Sequence, residues 1–137
     1  MHIMVDLALR RLFVKEEDEI LKDHPIGIGR YGGSTPVGVF KIAEIVDNPL
    51  EEYSNGVIYG VGCINLDVGV DDRPYAIHGT NEPESVGKAM SSGCMRMYNE
   101  DFKELRCMVL VGTIVIITVS TLFPNERPDA SVTYTKE

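Results

Sequence analysis

The stretch IHGTNEPESVGKAMSSGCMRMYNEDFKEL, residues 77–105, decides both the fold and the chemistry that we predict for this chain. His78 ends a strand-like segment, and Cys94 follows it by sixteen positions, directly after Gly93. A cysteine nucleophile needs a base within reach in space, and a neighbouring imidazole lowers the pKa of a thiol below its free value of about 8.5. A glycine before the nucleophile lets the backbone turn tightly, so that amide N–H groups face a developing oxyanion. The stretch therefore predicts a nucleophilic cysteine paired with a histidine base.

The segments around this stretch predict strands and one or two helices. Residues 74–78 indicate a short strand, and residues 85–90 indicate one or two helical turns. The segment 99–109 predicts a longer helix, because Asn99 suits the N-cap, two acidic residues follow at the positive end of the helix dipole, and apolar residues share one face. Residues 113–119, TIVIITV, are rich in β-branched side chains and predict a buried strand.

The first half of the chain predicts short strands joined by turns. Alternating apolar residues at its start, followed by a second apolar group, indicate a hairpin. The acidic run EEDE at residues 16–19 indicates a turn. Strands are predicted at 3–9, 12–14, 20–29 and 37–46, and loops with short strands at 47–70.

Length and composition predict one domain, and the predicted strands make it mainly β with one or two helices over residues 1–122, followed by a polar tail over residues 123–137. Hydrophobic residues make up 44% and charged residues 25% of the chain, which is typical of globular proteins. The net charge of −8 and the pI near 4.8 argue against nucleic acid or an anionic membrane surface as the main partner. The longest nearly apolar run, residues 107–119, is too short to span a membrane, which takes about 20 residues.

The three cysteines, Cys63, Cys94 and Cys107, are too few and odd in number for a disulfide framework. No two of them are spaced as C-x-x-C, and the three histidines do not group with them, so no metal site is predicted. Cys63 and Cys107 have no base near them in sequence. We interpret both as packed apolar side chains, with Cys107 on the predicted helix.

HGTNEPESVGKAMSSGCMRMYNEDFKEL resembles the signature of the L,D-transpeptidase catalytic domain, also called the YkuD-type domain. That family is recognised by a His-Gly pair followed by Ser/Thr-His-Gly-Cys and an apolar–Arg pair. The resemblance continues upstream in VDLALRRLFV and STPVGVFKI and downstream in VGTIVII, so it covers roughly residues 3–119. It implies a β-sandwich-like catalytic domain.

The resemblance also implies a reaction on peptidoglycan tetrapeptide stems. The family cleaves the bond between meso-diaminopimelate and the terminal D-alanine, releases the D-alanine and holds the stem as a thioester. An amine of a neighbouring stem then takes the acyl group, which forms a 3→3 cross-link. The resemblance implies no metal or organic cofactor, and it implies β-lactams of the carbapenem class as covalent inhibitors.

The family's catalytic residues transfer to this chain at matching positions. Cys94 matches the nucleophile, His78 the general base, and the carbonyl of Gly79 the backbone oxygen that orients the imidazole. Ser92 and Gly93, with the cysteine itself, match the frame of the oxyanion site.

Arg96 matches the family's arginine near the nucleophile and, with Ser91, is assigned to substrate binding. The competing interpretation of Arg96 is an exposed ion pair with Glu100 or Asp101, which would contribute little.

Three features depart from the family pattern or compete with it. The family's usual His before Gly-Cys is Ser92 here, which removes a second candidate base and leaves His78 as the sole one. GIGRYG, residues 27–32, matches G-x-G-x-x-G, but no helix start follows, so we interpret it as a loop and not as a dinucleotide site. STPVG, residues 34–38, is interpreted as a structural turn, and the resemblance implies that it lies beside the sheet and away from the nucleophile.

Two alternatives to a transpeptidase stay open, namely an L,D-carboxypeptidase that uses water as the acceptor and a non-catalytic peptidoglycan-binding relative. A papain-like or NlpC-like peptidase is disfavoured, because those enzymes place the cysteine before the histidine in the chain. The resemblance implies the bacterial cell envelope, either cell wall or periplasm, as the location. The N-terminal residues carry charges where a signal peptide has its apolar stretch, so no export signal is predicted in this chain.

Overall fold

A computed structural model of the protein describes residues 1–30, 35–49, 56–70, 73–91 and 93–120. The described residues form ten strands, one α-helix and two short 3-10 turns. The strands are β1 His2–Asp6, β2 Arg11–Glu16, β3 Glu19–Pro25, β4 Ile28–Gly29, β5 Gly38–Val46, β6 Cys63–Val70, β7 Arg73–His78, β8 Ala89–Ser91, β9 Met95–Arg96 and β10 Ile114–Thr118. The helix is α1 Asn99–Arg106, and the 3-10 turns are Gly56–Tyr59 and Pro83–Ser85.

Eight strands form one curled sheet in the order β3-β2-β1-β10-β5-β6-β7-β9, and β4 pairs with β8 in a second, smaller sheet. Strand β5 joins the two halves of the large sheet, because its residues 38–41 pair with β10 and its residues 42–46 pair with β6. An irregularity of register between Ile42 and Glu44 lies where β5 passes from one partner to the other. The prediction of a mainly β domain is confirmed, with one α-helix in the described part of the chain.

The core lies between the large sheet and helix α1. Alternate residues of β1, β2 and β10 are fully buried, as the period of two in an extended strand requires. The helix contributes Phe102 and Leu105 to the same cluster. A side chain at Gly62 would overlap the ring of Phe102, so the glycine allows the helix to pack directly on the start of β6. This packing holds the beginning of α1 against the end of β7, where His78 lies.

Several predicted elements are confirmed with small shifts of their ends. The hairpin of β1 and β2, the turn between β2 and β3, the strand β5 and the strand β10 all form as predicted. The strand predicted at 3–9 ends earlier, and Leu9 is exposed in the turn that follows it. The prediction of one stretch over 20–29 is wrong, since two strands, β3 and β4, share it and belong to different sheets.

The helical turns predicted at 85–90 are wrong. A 3-10 turn ends at Ser85, and the chain then extends into β8, which pairs with β4 in parallel. Within the range where loops and short strands were predicted, residues 63–70 form one eight-residue strand, β6, which pairs with both β5 and β7. The predicted polar tail, residues 123–137, lies outside the described residues.

Candidate active site

The parallel pairing of β7 with β9 brings the two predicted catalytic residues into one site. Ile77 lies opposite Met95 and His78 opposite Arg96, and the Met97 N–H donates to the His78 carbonyl at 2.8 Å. Cys94 directly precedes β9 and therefore enters the site beside the end of β7. The predicted His78–Cys94 association thus rests on strand register and not on closeness in sequence.

The ring of His78 is held by the backbone that follows it. Its Nδ1 lies in hydrogen-bond contact with the carbonyl oxygen of Gly79. A carbonyl oxygen only accepts, so Nδ1 carries the proton and Nε2 keeps its lone pair. The ring of Tyr59 packs on the imidazole edge to face, with centroids 4.9 Å apart and planes at 76°. The predicted role of Gly79 in orienting the base agrees with this geometry.

Burial keeps His78 neutral. The side chain is buried, with 4% of the residue exposed, and this burial lowers its pKa from 6.5 to about 4. The hydrogen bond to Gly79 opposes that shift, and the positive charge of Arg96 adds to it. A neutral imidazole with a free Nε2 is the form that can accept a proton.

Burial also keeps Cys94 protonated in the resting state. It raises the pKa of the thiol, against a backbone hydrogen bond from Ala76 and the charge of Arg96, which both lower it. Burial thus opposes the lowering of the thiol pKa that a neighbouring imidazole is expected to cause. Because both groups are desolvated, the neutral thiol and neutral imidazole are favoured over the ion pair.

The loop that carries Cys94 is closed by Ser91. The Ser91 hydroxyl donates to the Cys94 carbonyl at 2.6 Å, and it accepts the Gly93 N–H at 3.1 Å. Gly93 has φ +141°, a conformation that glycine adopts readily and other residues rarely adopt. Ser91 therefore shapes the backbone at Gly93 and Cys94, which we call the nucleophile loop after the predicted role of Cys94. The assignment of Ser91 to substrate binding stays a prediction.

The Gly93 N–H already donates to the Ser91 hydroxyl, so it is not free to donate to an oxyanion in this structure. The other amide predicted to face the oxyanion is the Cys94 N–H, and its role stays a prediction. Ser92, which was also predicted to frame that site, lies outside the described residues.

Thr35 contacts the nucleophile loop, and the sequence analysis did not predict this contact. Its hydroxyl donates to the Gly93 carbonyl at 2.9 Å and accepts the Gly29 N–H at 2.8 Å. The prediction that residues 34–38 lie away from the nucleophile is therefore wrong at Thr35. In the sequence, only a threonine followed by a proline marks this position, and the fold alone shows that its hydroxyl is buried against Gly93.

Thr35→Val tests this link between β4 and the nucleophile loop. Valine keeps the shape but leaves the Gly29 N–H and the Gly93 carbonyl without a partner, which we expect to lower the free energy of unfolding by about 1–3 kcal/mol. Denaturant unfolding followed by circular dichroism measures the change. Thr35→Ser keeps the hydroxyl and is the matched control, so equal losses in both variants would contradict a role for the two hydrogen bonds.

Arg96 lies across from His78 and pairs with a residue other than those proposed from sequence. Its Nη1 lies 3.2 Å from Glu82 Oε1, and 21% of its side chain is exposed. The proposed partners Glu100 and Asp101 are on α1 instead. Arg96 thus combines an ion pair with Glu82 with an electrostatic influence on the pKa values of His78 and Cys94.

The segment that resembles a dinucleotide loop is part of the scaffold of the site. Gly27 exchanges two backbone hydrogen bonds with Arg96, at 2.7 and 2.9 Å, and the strand β4 follows at once. A side chain at Gly27 would overlap the Ser85 carbonyl, which explains the glycine without a nucleotide. The loop predicted here is therefore a strand up to Gly29, and residues 31–32 lie outside the described range.

The other two cysteines differ from each other. Cys63 is buried on β6, donates its S–H to Asn65 at 3.2 Å, and has its pKa raised to about 12 by burial. Cys107 is exposed just after α1, so its predicted packing on the helix is wrong.

A family model for the L,D-transpeptidase catalytic domain matches residues 1–117 of this chain. The chain belongs to this family. Two of its relatives are named putative L,D-transpeptidase YkuD. The Bacillus licheniformis protein is 40% identical over 85% of this chain and 64% of the relative, and the Bacillus subtilis protein is 37% identical over 85% of this chain and 65% of the relative. The chain therefore spans slightly less than two thirds of the length of these relatives.

Solved L,D-transpeptidases share the fold. A mutant of the Enterococcus faecium L,D-transpeptidase superposes with a TM-score of 0.67 at 24% identity, covering 85% of this chain and 48% of that one. The L,D-transpeptidase LdtMt1 in complex with imipenem superposes with a TM-score of 0.63 at 16% identity, covering 84% of this chain and 57% of that one. The β-sandwich-like L,D-transpeptidase architecture expected from sequence is thus confirmed.

Two features are absent from the described residues of this L,D-transpeptidase domain. No helix there is long and apolar enough to cross a membrane. No group of three or more His, Cys, Asp or Glu side chains there is arranged to hold a metal ion.

Proposed function

We propose that this chain is a cysteine-dependent L,D-transpeptidase that acts on peptidoglycan tetrapeptide stems and forms 3→3 cross-links. The observation that carries the proposal is the placement of Cys94 beside β7, with the Nδ1 of His78 bound to the Gly79 carbonyl. This placement leaves the Nε2 of His78 as the acceptor for the thiol proton. Family membership supports the reaction class.

Acylation begins from the neutral pair. The Cys94 sulfur attacks the diaminopimelate carbonyl while His78 Nε2 takes the thiol proton, so that the thiolate forms only as the carbon–sulfur bond forms. The Cys94 N–H donates to the oxyanion that develops on that carbonyl. The imidazolium then gives its proton to the departing D-alanine amine, which leaves a thioester on Cys94.

In deacylation, His78 passes a proton from the attacking amine to the sulfur of Cys94. The amine of a second stem attacks the thioester, and His78 takes a proton from that amine as the new amide bond forms. The thiol of Cys94 regains a proton, and the product is the 3→3 cross-linked peptide. Each step uses only the side chains and backbone of the site.

Arg96 is the side chain best placed to bind a carboxylate of the stem. It lies opposite His78 in the sheet, its charge acts on the pKa values of both His78 and Cys94, and 21% of its side chain is exposed. A substrate carboxylate would replace or share its pairing with Glu82, because a guanidinium presents several donors in a fixed plane. We propose Arg96, with Ser91 shaping the loop beside it, as part of the substrate site.

The carboxypeptidase alternative differs only in the acceptor. Water in place of the second amine would release a tripeptide stem from the same thioester. A purely binding relative is disfavoured by the retention of an oriented base beside a cysteine. For either catalytic function we propose the bacterial cell envelope as the place of action, since peptidoglycan stems lie there.

The first test is covalent labelling of Cys94 by a carbapenem. The solved neighbour LdtMt1 is in complex with imipenem, which makes imipenem the reagent of choice. Intact-protein mass spectrometry of wild type after incubation with imipenem is expected to show one adduct, which peptide mapping places on Cys94. Absence of an adduct would favour the non-catalytic alternative.

The second test separates the two acceptors. Wild-type protein is incubated with a diaminopimelate-containing tetrapeptide, with and without a second stem as amine donor. A cross-linked dimer and free D-alanine support the transpeptidase, whereas tripeptide and D-alanine without dimer support the carboxypeptidase.

A further inference from the structure

Asn99, the first residue of α1, makes three hydrogen bonds to the segments around the catalytic histidine. Its Oδ1 accepts the Thr80 N–H at 3.0 Å and the Val61 N–H at 3.3 Å, and its Nδ2 donates to the Thr80 carbonyl at 3.1 Å. Two N–H groups aim at the same atom, so that atom has to be the amide oxygen. The sequence predicted Asn99 as a helix N-cap, but the N-cap position belongs to Tyr98 and the Asn99 side chain points elsewhere.

Two glycines make room for this side chain. A Cβ at Gly79 or at Gly60 would overlap Asn99 Oδ1. Gly60 also has φ +60°, in the left-handed region that favours glycine. The glycine of the His-Gly pair is therefore explained by the approach of Asn99.

The contact with Thr80 acts on the peptide that orients the base. The Gly79 carbonyl and the Thr80 N–H belong to one peptide unit, which is planar, so they point in opposite directions. Holding the N–H on Asn99 fixes the direction of the carbonyl on the other side. That carbonyl accepts from His78 Nδ1, and this contact selects the tautomer with a free Nε2.

We propose that Asn99 is a positioning residue that holds the Gly79–Thr80 peptide plane and thereby keeps His78 in the tautomer and orientation of a base. The role rests on the proposed function only insofar as that function uses His78 as its base. The three hydrogen bonds of the Asn99 side chain go to backbone groups of Val61 and Thr80, so its effect on His78 passes through the backbone.

The test compares two substitutions of similar size. Asn99→Leu removes every hydrogen bond of the side chain, whereas Asn99→Asp keeps the acceptor for both N–H groups and places its charge at a helix N-terminus, where it is tolerated. Glu100→Gln, at the exposed next position of α1, is the matched control. Circular dichroism reports whether each variant is folded.

The first readout is the ¹⁵N spectrum of the His78 ring, which needs no substrate. Wild type, Asn99→Asp and Glu100→Gln are expected to show Nδ1 protonated and Nε2 unprotonated, and Asn99→Leu a mixture of tautomers. The second readout is the rate of imipenem acylation of Cys94. We expect a loss of about 100-fold in Asn99→Leu, the usual cost of a misplacement near 1 Å, and less than about tenfold in Asn99→Asp.

The outcomes separate this inference from the proposed function. A folded Asn99→Leu with the wild-type tautomer and acylation rate would overturn the inference, as would equal losses in Asn99→Leu and Asn99→Asp. If Asn99→Leu does not fold, a mixed His78 tautomer in Asn99→Asp overturns it in the same way. If wild type forms no adduct while the tautomers change as expected, the proposed function fails and the positioning role stands.

Discussion

Cys94→Ala is expected to abolish covalent acylation and stem turnover, lowering the rate by roughly 10⁴-fold or more. The thiol is the atom that forms the thioester, and no other described side chain can replace it, because Cys63 is buried with a pKa near 12. Intact-protein mass spectrometry with imipenem, together with D-alanine release from a tetrapeptide, measures the loss. The effect on the free energy of unfolding is expected to be about 1 kcal/mol, since only one sulfur atom is removed.

Cys107→Ala is the matched control for this experiment. Cys107 is exposed after α1 and outside the site, so its loss is expected to leave the adduct and the turnover unchanged. An adduct that persists in Cys94→Ala but disappears in Cys107→Ala would show that labelling occurs at the surface thiol. Turnover that persists in Cys94→Ala would contradict the proposed mechanism directly.

Much of the large sheet was predictable because its strands carry local signals. Strand β10 is rich in β-branched residues, and the hairpin of β1 and β2 shows the alternation that a half-buried strand requires. The start of α1 was predicted from its acidic first turn, and Phe102 and Leu105 are buried as its apolar face indicated.

The elements that were missed depend on distant partners. Strand β8 is three residues long and gains its conformation from pairing with β4, some sixty positions earlier in the chain. Its sequence, AMS, carries no strand signal of its own, so the preceding residues favoured a helix. Strand β6 contains Asn65, Asp67 and Gly69, which weaken its local pattern although both of its edges are paired.

The residues of the candidate site likewise fall into two groups, those that sequence motifs identify and those that only the fold brings together. His78 and Cys94 were identified from motifs, because each is flanked by a glycine with a local backbone role. Thr35, Tyr59 and Asn99 were not, because each acts through a contact that spans at least nineteen positions in sequence. The lowered pKa of His78 could not be predicted either, since its largest cause is the burial of the side chain in the folded chain.

His78→Gln is expected to lower the rate of imipenem acylation by about 10²- to 10⁴-fold while the protein stays folded. Glutamine occupies similar space and can donate to the Gly79 carbonyl, but it cannot accept the thiol proton. The measurement is the rate of adduct formation at pH 7, with Cys107→Ala as a control for general reactivity. A normal rate in His78→Gln would remove His78 as the base.

The pH dependence of the acylation rate of wild type tests the protonation state of His78 without a substitution. Because burial lowers the pKa of His78 to about 4, the imidazole stays neutral down to that pH, and acylation is expected to fall only below it, about tenfold per pH unit. A fall in the acylation rate already near pH 6.5, the ordinary pKa of histidine, would contradict a buried neutral base.

The same pKa shift of His78 makes the folded state sensitive to acid. As the pH falls, the unfolded chain binds a proton at His78 near pH 6.5, whereas the folded chain binds it only near pH 4. The free energy of unfolding therefore decreases by roughly 3 kcal/mol as the pH falls from about 6.5 to about 4. His78→Gln is expected to lose this part of the acid sensitivity, so unfolding of both proteins at pH 7 and pH 4.5 separates loss of the base from loss of the fold.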